Sequence, residues 1–332
     1  MRMRCAYYER KGPADDVLQL GLRPRPVPGA GEVLVAIRAS GINPSDTKGR
    51  AGARGNNVMP FPLIIPHQDG AGVIEAVGPR VSTSRIGQRV WVYEAQLGRP
   101  FGTAAEYVAV PERNAVAMPD GLSFAEGAAL GVPALTAHRC VFADGPVAGK
   151  TVLVTGGAGA VGFYAIQFAR HGGARVIASV GDGTQAEIAR RAGAHLVIDR
   201  RGQDVVAEAA LFAGGEQSVD RIVEVAFGAN LDASLRMLKP NGVIAAYSSD
   251  SEPEPSLPFW PLVRLDATIR FVLVYAMSRE AHDEAVAYIN QAASEGWLKH
   301  NIGKLFPLER IAEAHPLVEN GPARGRIVLD IR

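Results

Sequence analysis

A glycine-rich turn at residues 157–162 restricts the possible folds of this chain more than any other feature. The apolar run 151–155 precedes it, and a segment with helical apolar periodicity follows over 161–170. Strand, glycine turn and helix in this order are typical of a βαβ unit that holds the pyrophosphate of a dinucleotide at a helix N-terminus. The alternative is a glycine-rich turn in an unrelated α/β protein. The residues that we expect to form the phosphate cradle are Gly157, Ala158, Gly159, Ala160, Val161 and Gly162.

Each glycine of this motif has an expected role. We expect Gly157 to make the tight turn and Gly159 to let backbone N–H groups reach the pyrophosphate. We expect Gly162 to let the helix pack closely against the sheet.

From about residue 122 onward, short apolar runs alternate with helical stretches. This alternation predicts a parallel sheet that is covered by helices on both faces. The predicted strands are 151–155, 175–180, 196–198, 221–225, 243–247 and 268–274, and the helices between them are 161–170, 185–192, 205–213 and 231–238.

The first third of the chain has a different character. Residues 21–66 are dense in proline and glycine, and β-like runs lie at 32–38, 72–77 and 89–93. This pattern predicts a β-rich domain with irregular loops. We therefore predict a β-rich substrate domain from residues 1–122 and 275–332, and a cofactor domain from residues 123–274.

Composition excludes several classes of protein. Lys and Arg number 35 against 34 Asp and Glu, a net charge of +1 that favours neither nucleic acid nor a membrane surface as partner. Cys5 and Cys140 form no CxxC pair, and no apolar signal segment or membrane span is evident. We expect a soluble, cytoplasmic protein.

The end of the second predicted strand bears on the choice of cofactor. NAD-selective sites place an acid about 20 residues after the glycine turn. Small neutral residues, Ser179 and Gly181, occupy this place, and Asp182 lies beyond it. They leave room for a 2′-phosphate, with Arg200 as a candidate counter-charge. NADP is favoured over NAD, although Arg200 could equally be a solvated loop residue.

Several motifs together resemble the medium-chain dehydrogenase/reductase superfamily, and within it the ζ-crystallin-like NADPH:quinone oxidoreductases. They span most of the chain in the order found in that family. The motifs are 40–46 (SGINPSD), 69–78 (DGAGVIEAVG), 102–108 (GTAAEYV), 127–137 (GAALGVPALTA), the glycine turn, and 297–315. The resemblance implies a GroES-like β-rich catalytic domain and a Rossmann domain with a doubly wound parallel sheet.

Zinc-dependent members of this superfamily hold their metal with cysteine, histidine or acidic ligands. The matching positions here are Asn43, Gln68 and Val132, and these residue types do not suit Zn²⁺. His67 lies one residue before the second of these positions. We therefore expect no metal. Without a Lewis acid, hydride transfer favours acceptors that are already electrophilic.

Three readings of function follow. The first is NADPH-dependent reduction of a quinone, and the second is reduction of an alkene conjugated to a carbonyl group. A more distant alternative is an NADPH-binding protein with an RNA-binding or structural role. The sequence lacks the basic, aromatic-interleaved patch that RNA binding favours.

The resemblance also implies residues around the nicotinamide. Asn43 and Thr136 would contact the ring, although Asn43 could instead form an Asx turn and Thr136 could be a buried helix hydroxyl. Lys48 stands where family members often carry a tyrosine, which puts a phenolic proton donor in doubt, and it could itself orient an acceptor oxygen. Candidates for lining the cofactor site are Phe227, Ser248, Phe271 and Val272, although core packing is an alternative for the two phenylalanines.

The resemblance further implies a homodimer. Related reductases pair through the edge of the sheet in the nucleotide domain. Here the apolar run 271–275 would be an adhesive edge if it were left uncovered.

Overall fold

The computed structural model describes residues 1–53, 57–321 and 324–331. By the contacts between residues, the chain forms two compact units. The first unit comprises Met1–Val132 and Asn290–Arg332, and the second comprises Pro133–Ile289. The predicted functional boundaries at 122/123 and 274/275 stay a prediction.

The secondary structure has the following bounds. The strands are β1 (Arg2–Tyr7), β2 (Gln19–Pro24), β3 (Glu32–Gly41), β4 (Asp69–Val77), β5 (Arg89–Val92), β6 (Tyr107–Pro111), β7 (Ala115–Ala117), β8 (Thr151–Thr155), β9 (Arg175–Val180), β10 (Leu196–Asp199), β11 (Val219–Glu224), β12 (Leu238–Ala246), β13 (Thr268–Phe271), β14 (Ile302–Pro307) and β15 (Arg326–Asp330). The helices are α1 (Ala14–Val17), α2 (Pro44–Ala51), α3 (Phe124–Gly127), α4 (Gly131–Phe142), α5 (Ala160–His171), α6 (Gly183–Ala192), α7 (Val205–Ala213), α8 (Phe227–Met237), α9 (Phe259–Arg264), α10 (Arg279–Ser294) and α11 (Ile311–Glu319).

The first unit is rich in β structure, as predicted. Strands β1 and β2 form an antiparallel pair, and a second sheet has the order β14-β15-β3-β4-β5-β7, with β6 paired to β3. Strand β3 is central because it pairs with β4, β6 and β15. Its largely buried side chains contribute to the apolar core of this unit. The C-terminal strand β15 therefore completes the sheet that the N-terminal part of the unit begins.

The second unit contains a six-stranded parallel sheet of order β10-β9-β8-β11-β12-β13. All five residues of β8 are buried, as expected for a strand covered on both faces. The order reverses between β8 and β11, and open sheets of this topology bind ligands at the carboxyl ends of the strands beside the reversal. The predicted Rossmann architecture is confirmed.

The edge strand is shorter than predicted. We expected a strand over 268–274, but β13 ends at Phe271 and a 3₁₀ turn follows at Val274–Ala276. The neighbouring strand β12 ends at Ala246, whose carbonyl accepts the N–H of Val272. Beyond that bond β12 offers no partner, so the chain leaves the sheet.

Candidate active site

The glycine turn lies between β8 and α5, at the carboxyl end of a central strand. Gly156, one residue before the motif, has a φ of +64°, a left-handed conformation that favours glycine. Gly157 instead donates its N–H to the carbonyl of Ser179 at 3.0 Å, which ties the turn to β9. Gly159 is the N-cap residue of α5. The Gly159 N–H donates to the Gly156 carbonyl at 2.9 Å, so the turn includes both Gly156 and Gly157.

Steric contacts explain why two further positions are glycine. A Cβ on Gly157 would lie 2.8 Å from the Cβ of Ala178 in β9. A Cβ on Gly162 would lie 2.3 Å from the carbonyl oxygen of Gly156, as expected if this glycine lets α5 approach the turn. Gly159 is exposed, and a Cβ there would meet only the Gly156 oxygen, at 3.2 Å. The turn fits an anion bound against exposed backbone at a helix N-terminus.

Two arginines lie at the carboxyl end of β9. A Cβ on Gly181 would lie 3.6 Å from Nη2 of Arg200 and 3.8 Å from Nε of Arg201. Within residues 1–53, 57–321 and 324–331, neither guanidinium forms an ion pair. Arg200 was expected here from the sequence, whereas the adjacent Arg201 was not. Together they form a cationic pair beside a residue with no side chain.

The acid that follows the end of β9 is already engaged. Asp182 caps α6, where its Oδ1 accepts the N–H of Gln185 at 2.9 Å. Ser179 is buried in β9, with its carbonyl bonded to the glycine turn. The predicted roles of Ser179 and Gly181 at the cofactor stay predictions.

A buried acid that the sequence analysis missed joins β8 to β11. Oε1 of Glu224 accepts hydrogen bonds from the Thr155 hydroxyl at 2.9 Å, the Ala226 N–H at 2.6 Å and the Asn230 amide at 2.9 Å. Burial raises the pKa of this carboxyl group, although these hydrogen bonds oppose the shift. The network fixes the two strand ends on either side of the topological reversal.

The four candidates for lining the cofactor site are differently placed. Phe227 is buried at the start of α8, and its ring packs edge-to-face on Phe271 at 5.5 Å between centroids. The carbonyl of the half-buried Ser248 accepts the Phe227 N–H at 3.0 Å. Val272 is buried, whereas Phe271 is 68% exposed. Phe227, Ser248 and Phe271 thus lie together at the carboxyl edge of the sheet.

Thr136 and Lys48 lie in separate units. Thr136 is buried in α4, within the second unit, and Lys48 is half-buried in α2, within the first. Their predicted roles at the nicotinamide stay predictions.

In the first unit, Asn43 belongs to a buried polar cluster. Its Oδ1 accepts from Nη1 of Arg326 at 2.6 Å, and its Nδ2 donates to Oδ2 of Asp69 at 2.9 Å. Arg326 and Asp69 form an ion pair at 2.7 Å, and both carboxylate oxygens of Asp69 also accept the Val132 N–H. Because arginine only donates and a carboxylate only accepts, the orientation of the Asn43 amide is fixed. Asn43 is also the N-cap residue of α2, where it forms a capping box with Asp46.

A second carboxyl group adjoins this cluster. Oδ2 of Asp46, in α2, accepts the main-chain N–H of Asn43 at 2.7 Å. Burial raises the pKa of Asp46 to about 7, and raises that of Asp69 to about 6 although Arg326 is beside it. The cluster thus combines two carboxyl groups and one guanidinium group, all buried from solvent.

His67 is part of a buried hydrogen-bond chain. Nε of Arg50 donates to Nδ1 of His315 at 3.3 Å, so a neutral His315 carries its proton on Nε2. The two Nε2 atoms of His315 and His67 are 2.9 Å apart, and His315 is therefore the donor. Burial holds the pKa of His67 well below its usual value and lowers that of His315 to about 3.

The chain of hydrogen bonds continues from His67 toward the polar cluster around Asn43. His67 donates from Nδ1 to the Ser40 hydroxyl at 2.8 Å, and Ser40 donates to the Thr103 hydroxyl at 2.7 Å. Thr103 donates to the carbonyl oxygen of Asp69 at 2.6 Å. His67 has a φ of +82°, a conformation that these bonds help to hold. These hydrogen bonds thus anchor the backbone at Asp69.

The residues at the zinc positions of the resembling family do not fit a metal. Asn43 is engaged in the polar cluster, and Gln68 exchanges hydrogen bonds with Gln96 at 3.1 and 3.4 Å. Val132 has an apolar side chain that supplies no ligand. In the described part of the chain, no three His, Cys, Asp or Glu side chains are grouped to hold a metal ion.

Two protein-family models match the chain. An alcohol dehydrogenase GroES-like domain matches residues 29–120, and a zinc-binding dehydrogenase domain matches residues 160–291. The chain belongs to the medium-chain dehydrogenase/reductase superfamily, in the ζ-crystallin-like quinone oxidoreductase family. It is an oxidoreductase of the medium-chain type, built from a GroES-like domain and a Rossmann domain.

Individual relatives support this assignment. The chain is 32% identical to the quinone oxidoreductase of Homo sapiens over 307 residues, which cover 92% of this chain and 90% of the relative. It is 39% identical to the 2-methylene-furan-3-one reductase of Solanum lycopersicum over 173 residues, 51% of this chain and 44% of the relative. A mycobacterial protein, Rv1454c, solved in complex with NADPH, is 27% identical, with a TM-score of 0.85 over 99% of this chain and 100% of the other.

None of the helices in residues 1–53, 57–321 and 324–331 is long and apolar enough to cross a bilayer.

Proposed function

We propose that this protein transfers hydride from NADPH to a quinone without a bound zinc ion. The observation that carries the proposal is the set of residues at the zinc positions, where Asn43 is held by Arg326 and Asp69 instead of a metal. A hydride acceptor then has to be electrophilic without Lewis-acid assistance. The full-length likeness to a quinone oxidoreductase supports a quinone as that acceptor.

The proposed cofactor is NADPH, bound on the glycine turn at 157–162. Arg200 and Arg201 beside Gly181 supply positive charge for a 2′-phosphate, and Asp182 at the same strand end is engaged as the cap of α6. The likeness to a structure solved with NADPH supports the same choice. When bound, the nicotinamide supplies the hydride, and the protein orients it and excludes water.

Asn43, Thr136 and Lys48 are proposed to act at the nicotinamide and the acceptor. The amide of Asn43 is oriented before any ligand arrives, because both of its polar atoms already have partners. The substrate is proposed to be a small molecule and the protein a homodimer.

The proposal is tested by following NADPH oxidation by metal-free protein with two acceptor classes, quinones and enones. We expect turnover with quinones, and turnover with NADH weaker than with NADPH. Sustained turnover of enones alone would overturn the quinone assignment. Dependence of activity on added zinc would overturn the metal-free chemistry.

Reduction of a conjugated alkene is the second candidate. The likeness to a protein named 2-methylene-furan-3-one reductase favours it, over half of the chain. The same assay separates the two candidates when an enone and a quinone compete for one limiting pool of NADPH.

A further inference from the structure

The polar cluster around Asn43 contains two carboxyl groups and one guanidinium. Asp69 is fully buried and Asp46 is 6% exposed. Arg326 is committed to Asp69 by the ion pair at 2.7 Å. Within the described ranges of the chain, Asp46 forms no ion pair with any cation. One of the two acids thus has no counter-charge.

A buried carboxylate without a counter-charge is costly, so Asp46 is more stable in its protonated form. Its Oδ2 accepts the Asn43 N–H, which places the proton on Oδ1. Oδ1 is buried and has no hydrogen-bond partner among the described residues. The structure thus contains a buried O–H donor whose acceptor is missing.

The surroundings of Asp46 give its carboxyl group a pKa at which it can gain and lose a proton near neutral pH. Burial is the largest cause that raises its pKa to about 7, and Asp69 raises it further, whereas the Asn43 N–H and Arg326 lower it. Tyr8, which follows β1, is also within electrostatic range, and its own pKa is raised to about 12, so the phenol stays neutral. A general acid works best when its pKa lies near the working pH.

We propose that Asp46 holds, on Oδ1, the proton that the acceptor takes up during reduction. The inference rests on the proposed function. Hydride transfer to a quinone leaves a negative charge on an acceptor oxygen, and this charge is neutralised when the Asp46 O–H bond breaks and an O–H bond forms on the acceptor. Asp46 becomes a carboxylate and regains its proton from water.

The kinetic test compares the wild type with Asp46→Asn. Asparagine has the same shape, can still accept the Asn43 N–H and is neutral like the protonated acid, but it cannot release a proton. We expect kcat with a quinone to fall by about 10²–10⁴-fold, with the dissociation constant of NADPH unchanged. Wild-type kcat should decline above the pKa of Asp46, and this limb should vanish in the variant. Asp283→Asn, at an exposed residue of α10, is the control.

A second measurement does not depend on turnover. The infrared band of a protonated carboxyl group should titrate near neutral pH in the wild type and be missing in Asp46→Asn. If the protein proves inactive with quinones, this band still reports whether Asp46 holds a proton. The absence of the band, or a variant with wild-type kcat and pH profile, would overturn the proposal.

Discussion

The guanidinium of Arg326 neutralises a carboxylate that is completely buried. Asp69→Asn removes that negative charge and leaves Arg326 without a counter-ion at 5% exposure. We expect the free energy of unfolding to fall by about 3–5 kcal/mol, because breaking a buried ion pair strands the remaining charge. Urea unfolding of the wild type and the variant measures this change.

An exposed ion pair provides the matched control for that measurement. Glu313 and Arg310 pair at 2.6 Å, but both side chains are more than half exposed. Glu313→Gln should therefore alter the free energy of unfolding by less than about 1 kcal/mol. Equal effects of the two substitutions would contradict the account of the buried cluster.

Arg200 and Arg201 should determine the preference for a 2′-phosphate. Replacing both by alanine should raise the dissociation constant of NADPH about 10-fold, since each charge-assisted bond at this exposed site is partly screened. Binding of NADH should hardly change. Fluorescence titration with both nucleotides measures the effect, and Arg236→Ala in α8 is the control. Parallel weakening for both nucleotides would contradict a role at the 2′-phosphate.

At the scale of the element, the approach of α5 to the glycine turn is sterically tight. Gly162→Ala would place a methyl group 2.3 Å from the Gly156 oxygen, so the turn must open. We expect lower thermal stability and loss of NADPH binding. Gly183→Ala, at the start of α6, meets no atom within 4 Å and should behave as the wild type. Normal NADPH affinity in Gly162→Ala would show that the turn does not bind the nucleotide.

The buried histidine chain makes stability depend on pH. The pKa of His315 is about 3 in the folded protein against 6.5 unperturbed, so the unfolded chain binds the proton more readily. The stability from neutral His315 is present above pH 6.5 and is lost as the pH falls toward 3. Each such imidazole contributes a slope of about 1.4 kcal/mol per pH unit in that window.

His315→Gln tests this linkage. The slope of the free energy of unfolding against pH should decrease by about 1.4 kcal/mol per unit in the variant. The slope is compared between variants, because Asp46 and Asp69, with raised pKa values, contribute in the opposite direction. An unchanged slope would mean that His315 titrates normally in the folded state.

Local sequence patterns predicted most strands and helices of the second unit, but not α9 at Phe259–Arg264. The predicted strands at 151–155 and 175–180 match β8 and β9, because buried strands are rich in apolar residues. Helix α8 begins at Phe227, earlier than the predicted start at 231. The carboxylate of Glu224 receives the Ala226 N–H and the Asn230 amide there, and such tertiary contacts leave no periodic signal in the sequence.

The site was only partly predictable. The glycine motif is local, so its place between β8 and α5 could be read directly. The partners of Asn43 could not, because Arg326 is 283 residues away and reaches it only through the pairing of β15 with β3. Likewise, the sequence around His67 does not indicate that its ring stacks on that of His315, with 5.2 Å between the ring centroids.

At the scale of the whole molecule, the open edge of β13 supports the proposed homodimer. Phe271 and Leu273 are 68% and 59% exposed beside that edge. Phe271→Lys should shift the mass measured by light scattering from two chains to one. Leu211→Lys, at an 82% exposed residue of α7, should leave the mass unchanged. If the wild-type protein has the mass of a single chain, the proposed homodimer is contradicted.

The central claim is that reduction proceeds from NADPH without bound zinc. Its most direct test is single-turnover oxidation of NADPH, deuterated at the transferred position, by protein whose metal content has been measured after chelation. We expect quinone-dependent oxidation with a primary deuterium isotope effect and a rate that neither chelation nor added zinc alters. Loss of the reaction on chelation, with recovery on adding zinc, would contradict the claim.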